Sequence, residues 1–411
     1  MFFLKAGRRK LLPLEDRGPL NVMFLLSSMP VGGAETLLVN LLRRMSRQFL
    51  PQVVCLKEPG ELGSEISSEF PVHSRIIRHK YDFGVIGRLK NLFLEQEVDA
   101  IVTVGAGDKM FWGRIAAERA RVPVILSALH STGWPDGVGK LNRALTGITD
   151  GFIAVAKSHG EFMVEFEKFP AAKVKVIPNG VDTSRFSVER HDRRTIREEL
   201  GIAAEDPVVG IVAALRPEKN HLLFLESASR LLEDLPAARF LIVGDGPERP
   251  MLEKAVADMS LKQQVLFAGL RSDIPELISA MDVFSLTSRN EASPVSIMEA
   301  MAMQKPVVAP DVGSIVDTVR DGETGFLFQG ENAEQVARYW LDLLTDPEMA
   351  SRFGNRGREV IQAQGSLQVM VEGYEDLIRE VYSAKVENRI WANPDAKSGK
   401  DVPGCAGKMP V

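Results

Sequence analysis

Two cationic side chains, Arg216 and Lys219, follow a run of mostly apolar residues at 208–214. Cations at the carboxyl end of a buried strand neutralise phosphate oxygens and stabilise the negative charge that develops on a departing diphosphate. A basic surface loop, whose ion pairs contribute little to stability, is the alternative interpretation. The pair therefore indicates either an anion site or a solvated turn.

Two glutamates, Glu291 and Glu299, lie eight residues apart in a segment that predicts a helix over 294–303. Pro294 suits its first turn and Ser293 its N-cap, and the free N–H groups near Val295 form an anion site. Glu299 is flanked by apolar residues, so its carboxylate needs a polar partner, and the vicinal hydroxyls of a ribose would donate two hydrogen bonds to it. An exposed glutamate on the wet face of the helix is the alternative.

Glycines follow two other predicted strands. Gly32 and Gly33 precede a helix that begins near Ala34, and Gly244 ends the strand at 240–243. Glycine lets the backbone approach an anion closely, and a helix N-terminus adds free N–H groups and a positive dipole. A plain strand-to-helix turn is the simpler interpretation of Gly32 and Gly33 taken alone.

His130 follows the predicted strand at 123–126. It is placed either to contact a sugar or move a proton, or to serve as a structural histidine. Residues 133–140 resemble a P-loop, but Leu141 stands where Ser or Thr would bind magnesium. No two aspartates are two residues apart, so the usual Asp-x-Asp clamp for a metal-bound diphosphate is missing. The sequence therefore predicts no metal and no cofactor.

The elements that position these residues alternate between short β-rich runs and helical patterns with apolar spacing of three and four. The predicted strands are 22–26, 52–56, 100–104, 123–126, 152–155 and 175–177, then 208–214, 240–243, 265–267, 283–286 and 306–309. Continuous apolar strands separated by helices are typical of parallel sheets buried on both faces. The pattern predicts two Rossmann-like, doubly wound α/β domains that face each other across a cleft.

Turn residues at 178–182 interrupt this alternation and mark the domain boundary. We expect a flexible extension over 1–19, an acceptor-side domain over 20–182 and a nucleotide-sugar-binding domain over 183–365. A helix over 366–390 and a disordered tail over 391–411 follow.

Composition excludes several classes of protein. The chain has 411 residues, 45% of them hydrophobic, and only two cysteines, so neither a disordered chain nor a disulfide scaffold fits. No apolar run approaches the roughly 20 residues of a membrane span. Residues 1–182 contain 24 Lys and Arg against 19 Asp and Glu, whereas the whole chain has a net charge of −5. We expect a cytoplasmic protein with no nucleic-acid partner, and the basic N-terminal face suggests peripheral contact with the inner face of the membrane.

Together these residues resemble the retaining, nucleotide-sugar-dependent glycosyltransferases of the GT-B fold, family 4 or glycosyl transferases group 1. The resemblance covers about residues 20–385. Its most specific part is the pair Glu291 and Glu299, followed by the segments 300–301, 305–308 and 321–328 and by Gly313. Residues 176–182 resemble the family's interdomain connector. Residues 32–35 resemble its N-terminal glycine loop.

The resemblance implies that Glu299 holds the nucleotide ribose, and that Arg216 and Lys219 hold the diphosphate. It further implies that Glu291 and the backbone at Ser293, Pro294 and Val295 meet the donor sugar, that Gly33 lies near the phosphates and that His130 approaches the transferred sugar. Gly244 belongs to the same substrate-binding set. Where the family has Gly-Arg-Leu, this chain has Ala213, Ala214 and Leu215, and we expect Arg216 to replace the missing cation.

The implied reaction moves a sugar from a UDP- or GDP-sugar donor to a hydroxyl acceptor, a glycan or lipid-linked glycan, by same-face attack. The last helix is expected to cross back to the first domain. Two rival hypotheses share the architecture: a nucleotide-sugar 2-epimerase, which needs no acceptor, and a non-catalytic nucleotide-sugar-binding subunit.

Overall fold

Two parallel sheets dominate the protein. The computed structural model describes residues 11–79, 82–105, 108–129 and 143–392. The first sheet comprises β1 Leu20–Leu26, β2 Phe49–Cys55, β3 Val72–His73, β4 Ala100–Val104, β5 Val124–Leu129, β6 Gly151–Ala154 and β7 Val174–Val176. The second comprises β8 Val208–Val212, β9 Arg239–Val243, β10 Val265–Gly269, β11 Val283–Ser285, β12 Val307–Pro310 and β13 Gly325–Phe328.

Helices cover both sheets. The helices that accompany the first sheet are α1 Leu14–Arg17, α2 Gly33–Arg44, α3 Gly60–Glu65, α4 Val85–Glu95, α5 Asp108–Ala120 and α6 Lys157–Glu165. Those of the second are α7 Arg193–Glu199, α8 His221–Asp234, α9 Arg249–Asp258, α10 Ile274–Ala280, α11 Val295–Ala302, α12 Ile315–Thr318, α13 Ala333–Thr345 and α14 Pro347–Gln364. The last helix is α15 Leu367–Ala392. We call the first sheet with α1–α6 the N-terminal unit and the second sheet with α7–α14 the C-terminal unit.

The strand order places the ligand crevice. The first sheet runs β3-β2-β1-β4-β5-β6-β7 and the second β10-β9-β8-β11-β12-β13, with parallel pairing throughout. The order reverses beside β1 in the first sheet and beside β8 in the second. In such sheets ligands bind outside the carboxyl ends of the strands at these switch points. The predicted pair of doubly wound α/β sheets is confirmed.

The interior of each sheet explains the apolar strand sequences. In β1, Val22 and Phe24 pack against one layer of helices while Met23 and Leu25 pack against the other, and all four are fully buried. A strand covered on both faces has no wet side, so its sequence shows no alternation. Helix α2 buries one face through Leu37, Leu38, Leu41 and Leu42, whose spacing matches the helical repeat.

Helix α15 crosses back to the N-terminal unit, as predicted. Lys385 Nζ lies 2.6 Å from Asp150 Oδ2, and the hydroxyl of Ser46 donates to Glu375 Oε2 at 3.1 Å. Tyr374 and Ile378 join the buried cluster beneath the first sheet. Within the part of the chain that is described, no helix is both long and apolar enough to cross a bilayer.

The two chain crossings between the units lie side by side. Val181 N donates to the Gly365 carbonyl at 2.9 Å, and Leu367 N donates to the Val181 carbonyl at 2.9 Å. A β-carbon at Gly180 would lie 2.6 Å from Leu367 Cα, so the two segments touch through their backbones. The two covalent connections between the units therefore run through one narrow strip.

Candidate active site between the two units

Lys219 and Glu291 form an ion pair at the carboxyl ends of two adjacent strands. Lys219 lies in a 3-10 turn, Pro217–Lys219, after β8, and Glu291 lies in the loop after β11. Lys219 Nζ is 2.5 Å from Glu291 Oε1, and the Ser288 hydroxyl donates to the same oxygen at 2.6 Å. The Glu291 side chain is only 9% exposed. The structure therefore brings together two predicted site residues that are 72 positions apart in the chain.

The two loops that hold this pair are tied to each other. Thr287 Oγ1 donates to the Asn220 carbonyl at 3.0 Å, and Arg289 N donates to the Glu218 carbonyl at 2.8 Å. Arg289 Nη1 also donates to the Pro217 carbonyl at 2.9 Å. Arg289 is also paired with Glu331, Nε to Oε1 at 2.6 Å, so it braces the two loops; the sequence analysis missed it because nothing local separates it from an ordinary surface arginine.

Arg216 stands apart from the ion pair. Its side chain is 62% exposed and its guanidinium is 4.0 Å from the Glu218 carboxylate. Among the described residues no contact joins it to Glu291 or Glu299. The role of Arg216 at the diphosphate therefore stays a prediction. Lys219, by contrast, has a defined position, because the Glu291 carboxylate holds it.

Glu299 is a carboxylate without a protein hydrogen-bond donor among the described residues. It lies on α11, the helix that follows the Glu291 loop. Burial raises its pKa to about 7, and the nearby charge of Arg185 opposes that rise. A carboxyl group in this state gains from any ligand that donates hydrogen bonds to it.

The start of α11 differs from the prediction by one residue. The helix begins at Val295 and Pro294 is its N-cap, so the assignment of Ser293 as N-cap and of Pro294 to the first turn is wrong. Pro294 has an extended ψ of 106°, and the Ser293 carbonyl accepts a hydrogen bond from Asn179 Nδ2 at 3.4 Å. Ile297 N donates to the Pro294 carbonyl at 3.2 Å, but no side chain caps the helix, so the N–H groups of Val295 and Ser296 remain available to a ligand.

Gly313 and Gly244 place the loops around the ion pair. Gly313 has a φ of +56°, and a β-carbon there would lie 2.0 Å from the Glu291 carbonyl oxygen, which accepts a hydrogen bond from Ser314 N at 3.0 Å. Gly244 has a φ of +136°, and a β-carbon there would lie 2.1 Å from the Ala213 carbonyl oxygen. Gly244 therefore packs against the loop that leads to Arg216, a supporting position.

Gly32 and Gly33 begin α2 at the carboxyl end of β1. A β-carbon at Gly32 would meet only the Glu35 side chain, and at Gly33 nothing lies within 4 Å. Packing within the protein therefore does not require glycine at Gly33. Open space at a helix N-terminus on the switch-point strand is the geometry that the anion-site interpretation needs.

His130 and the P-loop-like segment 133–140 lie outside the described residues. Across residues 11–79, 82–105, 108–129 and 143–392, no group of three or more His, Cys, Asp or Glu side chains is placed to hold a metal ion.

Polar contacts across the units were not anticipated from the sequence. Ser158, in the first turn of α6, donates to Asp317 Oδ2 from its backbone N at 2.8 Å and from its hydroxyl at 2.7 Å. The Ser158 and Ser314 hydroxyls are 3.1 Å apart. The N-cap of α6 is Ala156, which has no capping side chain, so the C-terminal unit supplies the cap. A serine and an aspartate 159 residues apart offer no local signal of this pairing.

Two family models match most of the chain. Residues 31–185 match Glycosyltransferase Family 4, and residues 192–360 match Glycosyl transferases group 1.

Curated relatives align over most of their own length. One is the Escherichia coli UDP-Gal:alpha-D-GlcNAc-diphosphoundecaprenol alpha-1,3-galactosyltransferase, 28% identical over 69% of this chain and 77% of the relative. Another is the Mycolicibacterium smegmatis GDP-mannose-dependent alpha-(1-6)-phosphatidylinositol monomannoside mannosyltransferase, 27% identical over 73% of this chain and 83% of the relative.

A solved structure shares the fold. The Anabaena protein HepE, crystallised with UDP and glucose, superposes with a TM-score of 0.75 at 22% identity, covering 87% of this chain and 99% of that one.

Proposed function

This chain belongs to the family 4 glycosyltransferases of the GT-B fold, and from that premise we propose how its residues bind a nucleotide-sugar donor and transfer the sugar. The reaction is hexosyl transfer with retention of anomeric configuration, in polysaccharide or glycolipid biosynthesis. The observation that carries the assignment of roles is the Lys219–Glu291 ion pair, followed by a helix whose Glu299 has no hydrogen-bond donor among the described residues.

In the proposed donor complex, Glu299 accepts hydrogen bonds from both ribose hydroxyls. Burial raises the pKa of Glu299 in the protein without donor, and these hydrogen bonds would lower it again because they stabilise the ionised carboxylate. The diphosphate lies against Lys219 and Arg216, with the open backbone at Gly33 on its other side. Positive charge and free N–H groups on both sides neutralise the phosphates without a metal ion.

Glu291 and the first turn of α11 face the donor sugar. During transfer, positive charge develops at the anomeric carbon and negative charge on the leaving nucleotide diphosphate. Lys219 and Glu291 lie 2.5 Å apart, so a cation stands near the leaving diphosphate and an anion near the sugar. Each protein charge is opposite in sign to the charge that develops next to it. The two groups are already oriented before the donor arrives.

Retention follows from attack on the same face of the sugar. The bond between the anomeric carbon and the phosphate oxygen breaks, and its electrons go to the phosphate. The acceptor oxygen bonds to the anomeric carbon, and its proton passes to the leaving phosphate oxygen. This route needs no protein nucleophile, and contact between the units across Ser158 and Asp317 helps to exclude water that would hydrolyse the donor.

The donor is a UDP- or GDP-hexose. The E. coli relative is named for UDP-galactose and the mycobacterial one for GDP-mannose, which supports this donor class without choosing its base. The same names contain a diphosphoundecaprenol-linked and a phosphatidylinositol-linked acceptor, and they support a lipid-linked or polymeric glycan acceptor here. Such an acceptor fits peripheral contact of the basic N-terminal unit with a membrane surface.

A thermal-shift panel of nucleotide sugars in the presence of EDTA tests donor binding. A donor at about 100 times its Kd should stabilise the native state by about 2.7 kcal/mol. Glu299→Ala should abolish this shift, whereas Glu226→Ala, an exposed glutamate on α8, should keep it. A panel in which no nucleotide sugar raises the Tm of the wild type would contradict the proposal.

The product separates transfer from the rival reactions. With an acceptor present, the anomeric configuration of the donor should persist in the product. A sugar isomerised in the absence of any acceptor would instead identify an epimerase, and donor binding without turnover would identify a binding subunit.

A further inference from the structure

A groove of about 420 Å³ lies between the two units, beside the Glu291 loop. Helix α6 and its C-terminal end form one wall through His159, Glu161, Phe162, Glu165 and Phe166. Asn290, Gly313 and Ser314 of the C-terminal unit form the other. None of the proposed donor contacts accounts for this groove.

The contact between the units forms one end of the groove. Ser158 and Ser314 both line it, and their hydroxyls are 3.1 Å apart. Asp317 holds Ser158 from the other side through two hydrogen bonds. The groove therefore exists only while both units are in contact, as expected for a site that operates in the assembled enzyme.

The wall formed by α6 combines aromatic faces with carboxylates. The rings of Phe162 and Phe166 stack with centroids 5.1 Å apart, and Phe166 is 68% exposed. Glu161 and Glu165, one helical turn apart, line the same groove. A sugar ring presents an apolar C–H face to such aromatic rings and hydroxyl donors to such carboxylates.

His159 adds a hydrogen-bond donor, the N–H at Nε2 of its ring. The residue is 2% exposed, and its Nδ1 accepts the backbone N–H of Val155 at 3.3 Å. Burial lowers the pKa of His159 to about 4, so the ring is neutral near pH 7 and its proton is on Nε2. This N–H, in a residue that lines the groove, is a donor for a ligand hydroxyl.

The groove borders the loop that holds Glu291. Asn290 precedes Glu291 directly, and Ser314 N donates to the Glu291 carbonyl at 3.0 Å. A chain that lies in the groove would therefore contact the loop whose glutamate we assign to the transferred sugar.

Charge selects which part of an acceptor fits. The negative charges of Glu161 and Glu165 would repel a phosphate. The nearby cation, Lys157, is already paired with Glu161, at 3.9 Å, so it does not offset that repulsion. A neutral, hydroxyl-rich chain meets no such penalty.

We propose that this groove binds the neutral saccharide portion of the acceptor, with its ring on Phe166 and Phe162 and its hydroxyls on Glu165, Glu161 and His159. The inference rests on the proposed function, since it names an acceptor subsite for the same transfer.

An array of neutral and anionic oligosaccharides, probed with the full-length protein, tests the subsite. Wild type should retain neutral glycans, and Phe166→Ala should weaken their binding by about tenfold, since it removes most of one aromatic contact. Glu165→Gln should weaken it without altering the fold. Leu270→Ala, which removes a 74% exposed apolar side chain from the C-terminal unit, is the matched control and should leave binding unchanged.

Donor binding is measured on the same variants, because the two proposals fail differently. Phe166→Ala and Glu165→Gln should keep the donor-induced Tm shift of the wild type. Loss of that shift in the wild type would defeat the proposed function. Three results would instead overturn the subsite with donor binding intact: no neutral glycan retained by the wild type, only anionic glycans retained, or equal binding by Phe166→Ala and Leu270→Ala.

Discussion

At Gly33, folding and ligand binding make different demands on one residue. The residue begins α2, and a β-carbon there would have no protein atom within 4 Å. Alanine loses less backbone entropy on folding than glycine does, by about 0.4–1 kcal/mol, so folding alone would favour Gly33→Ala. A phosphate placed against the bare backbone would collide with the added methyl group.

We therefore expect Gly33→Ala to keep or raise the Tm while weakening nucleotide-sugar binding at least tenfold. Gly87→Ala is the control, since Gly87 lies within α4 and also has open space around it. It should raise stability with no effect on donor affinity. If both variants bind the donor like the wild type, Gly33 does not lie near the phosphates.

The carboxyl group of Glu299 predicts a pH dependence of donor binding. Its pKa of about 7 in the folded protein lies above the ordinary value of 4.5, so the unfolded chain releases this proton first. Its contribution to stability is therefore full below about pH 4.5 and is lost as the pH rises through 7. Donor binding should show the opposite trend, because the ionised form accepts both ribose hydrogen bonds.

Affinity for a nucleotide sugar, measured by calorimetry between pH 5.5 and 8.5, should thus increase by several-fold as the pH rises through about 7. A nucleotide sugar is the suitable ligand because its diphosphate binds no proton in this range. Glu299→Gln should bind more weakly, with a flat profile. An unchanged slope in that variant would assign the titration to another group.

At the scale of elements, the loop after β12 supports the loop after β11. Gly313, at φ +56°, contacts the Glu291 carbonyl so closely that Gly313→Ala must displace one loop or the other. We expect a loss of about 2–4 kcal/mol in the free energy of unfolding, together with weaker donor binding.

Gly322→Ala separates backbone strain from displacement of the loop. Gly322 has a φ of +72° but no atom within 4 Å of its β-carbon position. Gly322→Ala should lower the free energy of unfolding by about 1 kcal/mol, measured by urea denaturation, and leave donor affinity unchanged. Equal donor binding by both glycine variants would show that the Glu291 loop does not depend on Gly313.

Some elements were not predicted because their own sequences contain little periodic signal. Helix α7 has one buried apolar residue, Ile196, and owes its place to Asp192, which caps it, and to Arg197, which bonds Asp282. Strand β3 is two residues long and exists only by pairing with β2. Helix α11 begins one residue later than expected, and the Ser293 carbonyl accepts a hydrogen bond from Asn179, in the segment 176–182.

At the scale of the whole molecule, Asp317 links the units by capping a helix of the other one. Removing a capping carboxylate costs about 1 kcal/mol. Because Asp317 caps a helix of the other unit, Asp317→Ala should destabilise only the closed arrangement, in which the two units touch. The equilibrium should therefore shift about fivefold toward more open arrangements. A larger radius of gyration in small-angle scattering and faster donor hydrolysis relative to transfer are the expected results.

Asp192→Ala provides the comparison, since Asp192 caps α7 within the C-terminal unit alone. It should lower the Tm without altering the radius of gyration. If the two variants scatter alike, the contact between Ser158 and Asp317 has no influence on how the units are arranged.

Local sequence patterns were enough to predict the elements whose signal is local and the chemical needs of single segments. Runs such as 100–104 predicted buried parallel strands, and Glu299 among apolar residues predicted a carboxylate in need of a donor. These inferences hold because burial and hydrogen-bond demand are imposed on each residue by its immediate neighbours.

Which distant groups meet became clear only from the folded chain. It joined Lys219 to Glu291, placed Arg216 outside that pair and gave α6 a cap from Asp317. Pairings of this kind depend on strand order and on how two units pack. A polar residue on a strand-end loop has the same local sequence whether its partner lies across the crevice or is water.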